Sequence, residues 1–179
     1  MRIISGRYSR KNIIAPASLP VRPTTDFAKT GLFNILSNKI NFPEITALDL
    51  FAGTGNISYE LFSRGTEKIT CVDQSQLCTK FIDTTFNSFN ATETVVVKQD
   101  VFSFLSSTHK TYDLIFADPP FNFQHYQKLV DAIFEKKLLN ENGMLVLEHG
   151  GDVNFYHNKF LVEERKYGAV HFSFFQELS

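Results

Sequence analysis

The chain has 179 residues, 43% of them hydrophobic, and its 18 Lys and Arg nearly balance 19 Asp and Glu. That length suits one compact domain with a substantial core and falls short of two. No apolar run approaches the roughly 18 residues that cross a bilayer. Cys71 and Cys78 form no CxxC and follow no secretory leader, so a cytoplasmic protein with reduced thiols is expected. The histidines (His109, His125, His149, His157, His171) are scattered, without HExxH or a Cys/His cluster, and no metal site is expected. Charge is unevenly placed: Arg2, Arg7, Arg10, Lys11, Arg22 and Lys29 face only Asp26 within residues 1–30. Such an arm can neutralise phosphates and release their counterions.

In chain order, residues 2–22 mix short apolar pieces with basic residues, and Pro16, Pro20 and Pro23 interrupt anything long. A small hairpin followed by an extended segment is predicted. Thr24, Thr25 and Asp26 offer capping side chains for an amphipathic helix over 27–40, ended by Pro43. From Thr46 onward, strand-length runs (46–51, 68–72, 94–98, 112–117, 144–148) alternate with helix-length segments (56–64, 75–89, 101–107, 124–137). Their Leu, Ile and Val without clean alternation suit a parallel sheet covered on both faces. Residues 160–167 and 169–176 read as a closing hairpin that puts one antiparallel strand into that sheet. The expected fold class is thus α/β, with a basic hairpin and helix over 1–45 belonging to the same domain as a core over 46–179.

In doubly wound folds, ligands sit at the carboxyl ends of the strands, near the point where strand order reverses. Asp49, Asp73, Asp100 and Asp118 fall at four successive strand ends, although each one singly could be a helix cap. Residues 49–55 read Asp-Leu-Phe-Ala-Gly-Thr-Gly, a strand-to-helix turn in which Gly53 and Gly55 let the backbone approach a ligand. Ser58 spoils a dinucleotide fingerprint where Gly or Ala is needed for helix–strand packing. A carboxylate at Asp49 suits the cationic amino-acid part of S-adenosylmethionine and would repel a pyrophosphate. Downstream stands Asp118-Pro119-Pro120-Phe121. An exocyclic amine on a base is a poor nucleophile, because its lone pair is delocalised. The Asp118 carboxylate and the Pro119 carbonyl could accept its two N–H bonds, Pro120 would hold that carbonyl's direction, and Phe121 would stack on the base. Neither cysteine stands at the proline pair, so a covalent route through a thiolate lacks its nucleophile.

These residues, together with Met1 to Gly6, Val21 to Asp26 and Leu32-Phe33-Asn34, make the chain resemble the RsmD family of bacterial methyltransferases over nearly its whole length. The resemblance implies a Rossmann-like class I methyltransferase fold with a mostly parallel seven-stranded sheet. It also implies methylation of a guanine N2 amino group (guanine 966) in 16S ribosomal RNA, with S-adenosylmethionine as donor. By resemblance, Gly53 and Gly55, with Asp49, Phe51 and Asn56, line the methionine part of the donor. Asp73 and Gln74 hold its ribose, and Asp100 with Val101 its adenine. Asp118 to Phe121 hold the target base, while Arg7, Arg10, Arg22, Thr24 and Thr25 meet RNA. A small-subunit particle is the implied partner of a monomer, with no membrane or metal. Phe27 and Thr30 depart from the family's Arg and Glu, and Phe51 stands where many methyltransferases carry another Gly. Rival readings are another N-methyltransferase (adenine N6 or protein glutamine, which usually show Asn at the first position of the proline turn), an NAD-dependent oxidoreductase, and a non-catalytic RNA-binding module.

Overall fold

The computed structural model describes residues 1–19 and 24–177. Strands β1 (Thr46–Leu50), β2 (Lys68–Asp73), β3 (Val95–Lys98), β4 (Tyr112–Ala117), β5 (Leu139–His149), β6 (Leu161–Tyr167) and β7 (Val170–Phe175) form one sheet. Its order is β3-β2-β1-β4-β5-β7-β6. The first five strands pair in parallel, and β7 runs antiparallel to both of its neighbours. This is the Rossmann-like arrangement of class I methyltransferases, with the single reversed strand that the closing hairpin predicts.

The lack of alternation in the strands has a direct cause, since both faces are covered. Ala47, Leu114, Phe116, Met144 and Val146 pack under α1 (Asp26–Leu36), α2 (Asn56–Ser63) and α3 (Gln76–Ser88). Their strand neighbours Leu48, Ile115, Ala117, Leu145 and Leu147 pack on the opposite face, under α4 (Val101–Ser107) and α5 (Tyr126–Glu135). Successive residues of a strand point to opposite faces, so a sheet buried on both sides must be apolar at every position. Capping follows the sequence: Thr25, Ser75 and Asp100 accept backbone N–H groups at the starts of α1, α3 and α4.

Two boundaries differ from expectation. The first helix ends at Leu36, well before Pro43, because Ser37 and Asn38 turn their side chains back onto the carbonyls of Phe33 and Asn34. Such local bonds compete with helix continuation. Pro43 lies instead in a short 3-10 turn, Phe42–Glu44. The fifth strand begins at Leu139 rather than Met144, bridging to Tyr112 across a register shift.

The N-terminal hairpin is present in reduced form, as one bridge between Arg2 and Asn12 flanked by two backbone bonds, Ile3 N–H to Lys11 and Ile13 N–H to Met1. Its buried anchors are Ile3 and Ile13. Polar bonds fix it further. Glu60 of α2 accepts the N–H groups of Ile4 at 2.7 Å and Ser5 at 3.0 Å, takes a 2.8 Å bond from Arg64, and faces the Lys29 ammonium at 3.7 Å. Lys29 in turn donates to the Arg2 carbonyl and to Asn56 Oδ1, both at 2.7 Å. Burial pushes the Lys29 pKa down, and the Glu60 carboxylate opposes that shift. Hairpin, α1 and α2 are therefore joined through one buried ion pair. Gly6 permits the closest approach: its φ is +85°, and a Cβ there would lie 1.9 Å from the Ser63 carbonyl oxygen.

Candidate active site

Strand order reverses between β1 and β4, which are direct neighbours with Leu50 beside Ala117. The loops that follow these two strands therefore open on a common cavity of about 760 Å³ at the carboxyl edge of the sheet. The sequence places a methyl donor and a target base at these same two loops.

The glycine turn is built for close approach. Gly53 and Gly55 have φ of +55° and +77°, and a Cβ on Gly55 would meet the Tyr59 ring at 2.8 Å. Phe51 also adopts φ of +58°. This is a left-handed conformation that costs a non-glycine residue roughly 1–2 kcal/mol. It accounts for the glycine common at this place in other methyltransferases; here the Phe51 ring gains an edge-to-face contact with Phe123 at 5.3 Å. Asp73 holds the turn, one oxygen accepting Gly53 N–H at 2.8 Å and the other Ser75 N–H at 2.7 Å. Asn56, first residue of α2, is fixed between Lys29 and the Thr24 carbonyl.

Acidic side chains dominate the polar wall. Asp49 is 2% exposed and accepts the Ser58 hydroxyl at 2.5 Å. Burial raises its pKa to about 7, the Ser58 bond opposes the rise, and the nearby Asp118 and Asp73 carboxylates add to it. Asp118 is pushed well above the ordinary carboxylate range by burial and then by the charge of Glu148. Glu148 itself rises to about 7 through burial, against a 3.0 Å bond donated by Thr24 Oγ1. Asp100 lines the cavity and also caps α4 at 2.9 Å. Among the described residues no cation forms an ion pair with any of these carboxylates, nor do they compose a metal-ligating group. A cavity of this charge attracts a cationic ligand and repels a pyrophosphate.

The aromatic wall is larger than expected. Phe121 is fully exposed at the cavity mouth, and Pro119 is buried behind it. Phe102 stacks on Phe123 at 6.2 Å, and His125 meets Phe123 edge-on at 5.9 Å. Phe102, Phe123 and His125 line the cavity, with Gln74 and Val101 nearby. Sequence reasoning passes over these three aromatics and over Glu148. The last was within reach, because the strand-end rule that selects the other carboxylates selects Glu148 as well.

The residues expected to meet RNA do not converge. Thr24 stands on the cavity wall, and Thr25 caps α1 through its hydroxyl. Arg7 lies beside Ser63 at the far end of α2, paired with Glu67 at 3.0 Å and set over the Phe62 ring at 4.1 Å. With a rise of about 1.5 Å per residue, that end is roughly 10 Å from Asn56 along the helix. Arg10 is exposed in a left-handed turn of the hairpin. Arg22 lies outside the described residues. The expected basic arm is thus partly neutralised from within, since Arg2 pairs with Asp26 and Lys29 is buried against Glu60. Among the described residues no helix is long and apolar enough to cross a membrane.

Comparison with known proteins gives the family and the fold. Ribosomal RNA small subunit methyltransferase D of Buchnera aphidicola is 26% identical over 183 residues, covering 100% of this chain and 93% of that protein. YlbH of Bacillus subtilis is 32% identical over 157 residues, covering 86% and 84% respectively. Among solved structures, yhhF of Escherichia coli superposes with a TM-score of 0.85 at 24% identity, over 98% of this chain and 97% of that one. A hypothetical protein of Thermus thermophilus gives 0.84 at 23%, over 99% of each chain; at such identities these two show the shared fold. The family model of Conserved hypothetical protein 95 matches residues 1–176, and the chain belongs to that family of RsmD-type methyltransferases.

Proposed function

We propose that this protein transfers a methyl group from S-adenosylmethionine to the exocyclic N2 amino group of a guanine in 16S ribosomal RNA, within a small-subunit particle. The observation that carries the reading is the meeting of the glycine turn and the Asp118–Phe121 loop on one acidic cavity, whose carboxylates have no paired cation among the described residues. When bound, the donor supplies a methyl group already carried on a sulfonium leaving group. The chain's own residues need only hold, orient and deprotonate. Gly53 and Gly55 admit the donor's amino-acid part, Asp49 offers it a negative charge, and Asp73, Gln74, Asp100 and Val101 receive its nucleoside. Asp118 and the Pro119 carbonyl accept the N–H bonds of the target amine, and Phe121 supplies a stacking face. Alignment and exclusion of water account for most of the acceleration. The Asp at position 118, rather than Asn, favours guanine over adenine N6 or protein glutamine. The acidic wall, and Ser58 buried against Asp49, disfavour a nicotinamide cofactor.

Ribosomes from cells lacking the chain are expected to lack one N2-methylguanosine in 16S RNA, restored by the purified protein and S-adenosylmethionine. Nucleoside mass spectrometry reads the product. Methyladenosine or methylglutamine would replace this reading, and no methylated product would end it.

Donor binding carries its own pH signature. A cationic ligand lowers the pKa of Asp49 from about 7. Affinity is therefore expected to rise as pH climbs from about 6 to about 8, with protons released on binding near neutrality. Calorimetry in two buffers of different ionisation heat counts those protons. The Asp49→Asn variant should release fewer; an unchanged count would remove Asp49 from the donor site.

A further inference from the structure

We infer that Glu148 is a positioning residue for methyl transfer: side by side with Asp118 at the ends of β5 and β4, it shares a proton with that carboxylate and so governs when Asp118 can take the hydrogen leaving the target amine. The inference rests on the reading of Asp118 given above. Its geometry comes from the sheet. Parallel β4 and β5 pair Phe116 with Val146 and Ala117 with Leu147, and the next residue on each side is Asp118 and Glu148. Glu148 is only 8% exposed. One of its oxygens is committed to Thr24 Oγ1, a group on the cavity wall. Among the described residues no donor bonds to its other oxygen or to either oxygen of Asp118.

Two carboxylates at adjacent positions of neighbouring strands, Glu148 buried and Asp118 half-buried, do not both ionise readily, and the titration belongs to the pair. The groups around them reinforce that. Asp49 of β1 and Asp152 beyond β5 stand in the same electrostatic neighbourhood, and the Tyr126 phenol of α5, raised by burial, brings no positive charge to it. His149, next along β5, has its pKa lowered by burial, which leaves it neutral near pH 7. No cation on the described elements relieves the pair. One shared proton is thus the expected state of the pair near neutral pH.

That state fits the reaction's balance. The N2 lone pair forms the new bond to carbon, and the carbon–sulfur pair stays on sulfur as a neutral thioether. The nitrogen, now positive, gives one proton to Asp118, the pair becomes neutral, and a proton returns to solvent before the next turnover. An ionised Glu148 keeps the proton on Asp118 to higher pH, whereas with the pair's single proton on Glu148 the Asp118 carboxylate is the free acceptor. Removing that charge lowers the Asp118 pKa, so Asp118 becomes competent at more acidic pH while accepting the proton less avidly.

The test is a carbon-13 carboxyl titration of aspartate-labelled protein, with the Asp118 signal identified by its loss in Asp118→Asn. In Glu148→Gln its midpoint is expected to fall by at least about one pH unit. Glu148→Asp should restore the higher midpoint. With small-subunit particles as substrate, the acidic limb of methyl transfer should move down by the same interval, and the plateau rate should fall about tenfold. Donor affinity in calorimetry should stay within a factor of about two. An Asp118 midpoint unmoved in Glu148→Gln overturns the inference, as does a shifted midpoint with an unmoved kinetic limb. The titration needs no RNA, so a wild-type protein that methylates no RNA would instead defeat the proposed activity.

Discussion

Alanine at position 118 is expected to lower methyl transfer by about 10²–10⁴-fold, the range typical for losing a positioned proton acceptor. Two losses combine in that figure. The target amine would lose an acceptor aimed at its N–H bond, and the cationic nitrogen formed after transfer would lose the group that deprotonates it. Donor affinity should change little, because the glycine turn is held by Asp73 rather than by Asp118. Asp118→Asn keeps an acceptor oxygen of similar shape but cannot take the proton, so its rate should lie between those of wild type and alanine. Single-turnover transfer on small-subunit particles, with donor binding measured in parallel, separates these effects. Full turnover in Asp118→Ala would remove this residue from the chemistry.

The largest effect on stability is expected at Glu60, far from any reacting atom. Glu60→Leu strands the Lys29 ammonium in a fully buried site and leaves the N–H groups of Ile4 and Ser5 without their acceptor. Breaking a buried pair on one side costs about 3–5 kcal/mol. For a chain of this size, that corresponds to a fall in Tm of roughly 10 °C or more. The double variant Glu60→Leu with Lys29→Met removes both charges and should recover a good part of the loss, because an apolar pair carries no desolvation penalty. It should not recover all of it, since the two hairpin N–H groups stay unpaired. Urea unfolding of the three proteins makes the comparison. A single variant as stable as wild type would show that the pair does not hold the hairpin.

Much of this architecture was legible from the amino acids, for physical reasons that differ by region. Strands buried on both faces announce themselves as apolar runs such as Leu114 to Ala117, and the glycine turn is readable because side chains are excluded there. The end of α1 was not legible. Ile40 continues the helical spacing, and only the backward bonds of Ser37 and Asn38 decide against it. The charges of the basic arm are partly answered from within. Composition counts charges, whereas Lys29 and Arg2 are answered by Glu60 and Asp26, and Glu60 is distant in sequence. At the site, Asp49, Asp73, Asp100 and Asp118 could be chosen because strand ends select them. Phe102, Phe123 and His125 could not, since aromatics that wall a cavity look like any other core residues until the loop is folded.

The excess of carboxylates that the described residues give the cavity wall bears on turnover as well as on capture. A ligand that enters with a positive sulfur and departs with a neutral one meets the same carboxylates on the way in and on the way out, but gives up one positive charge in between. The spent thioether is therefore expected to feel the smaller electrostatic attraction, and rising salt should narrow the gap between the two, because screening weakens the attraction on the extra charge.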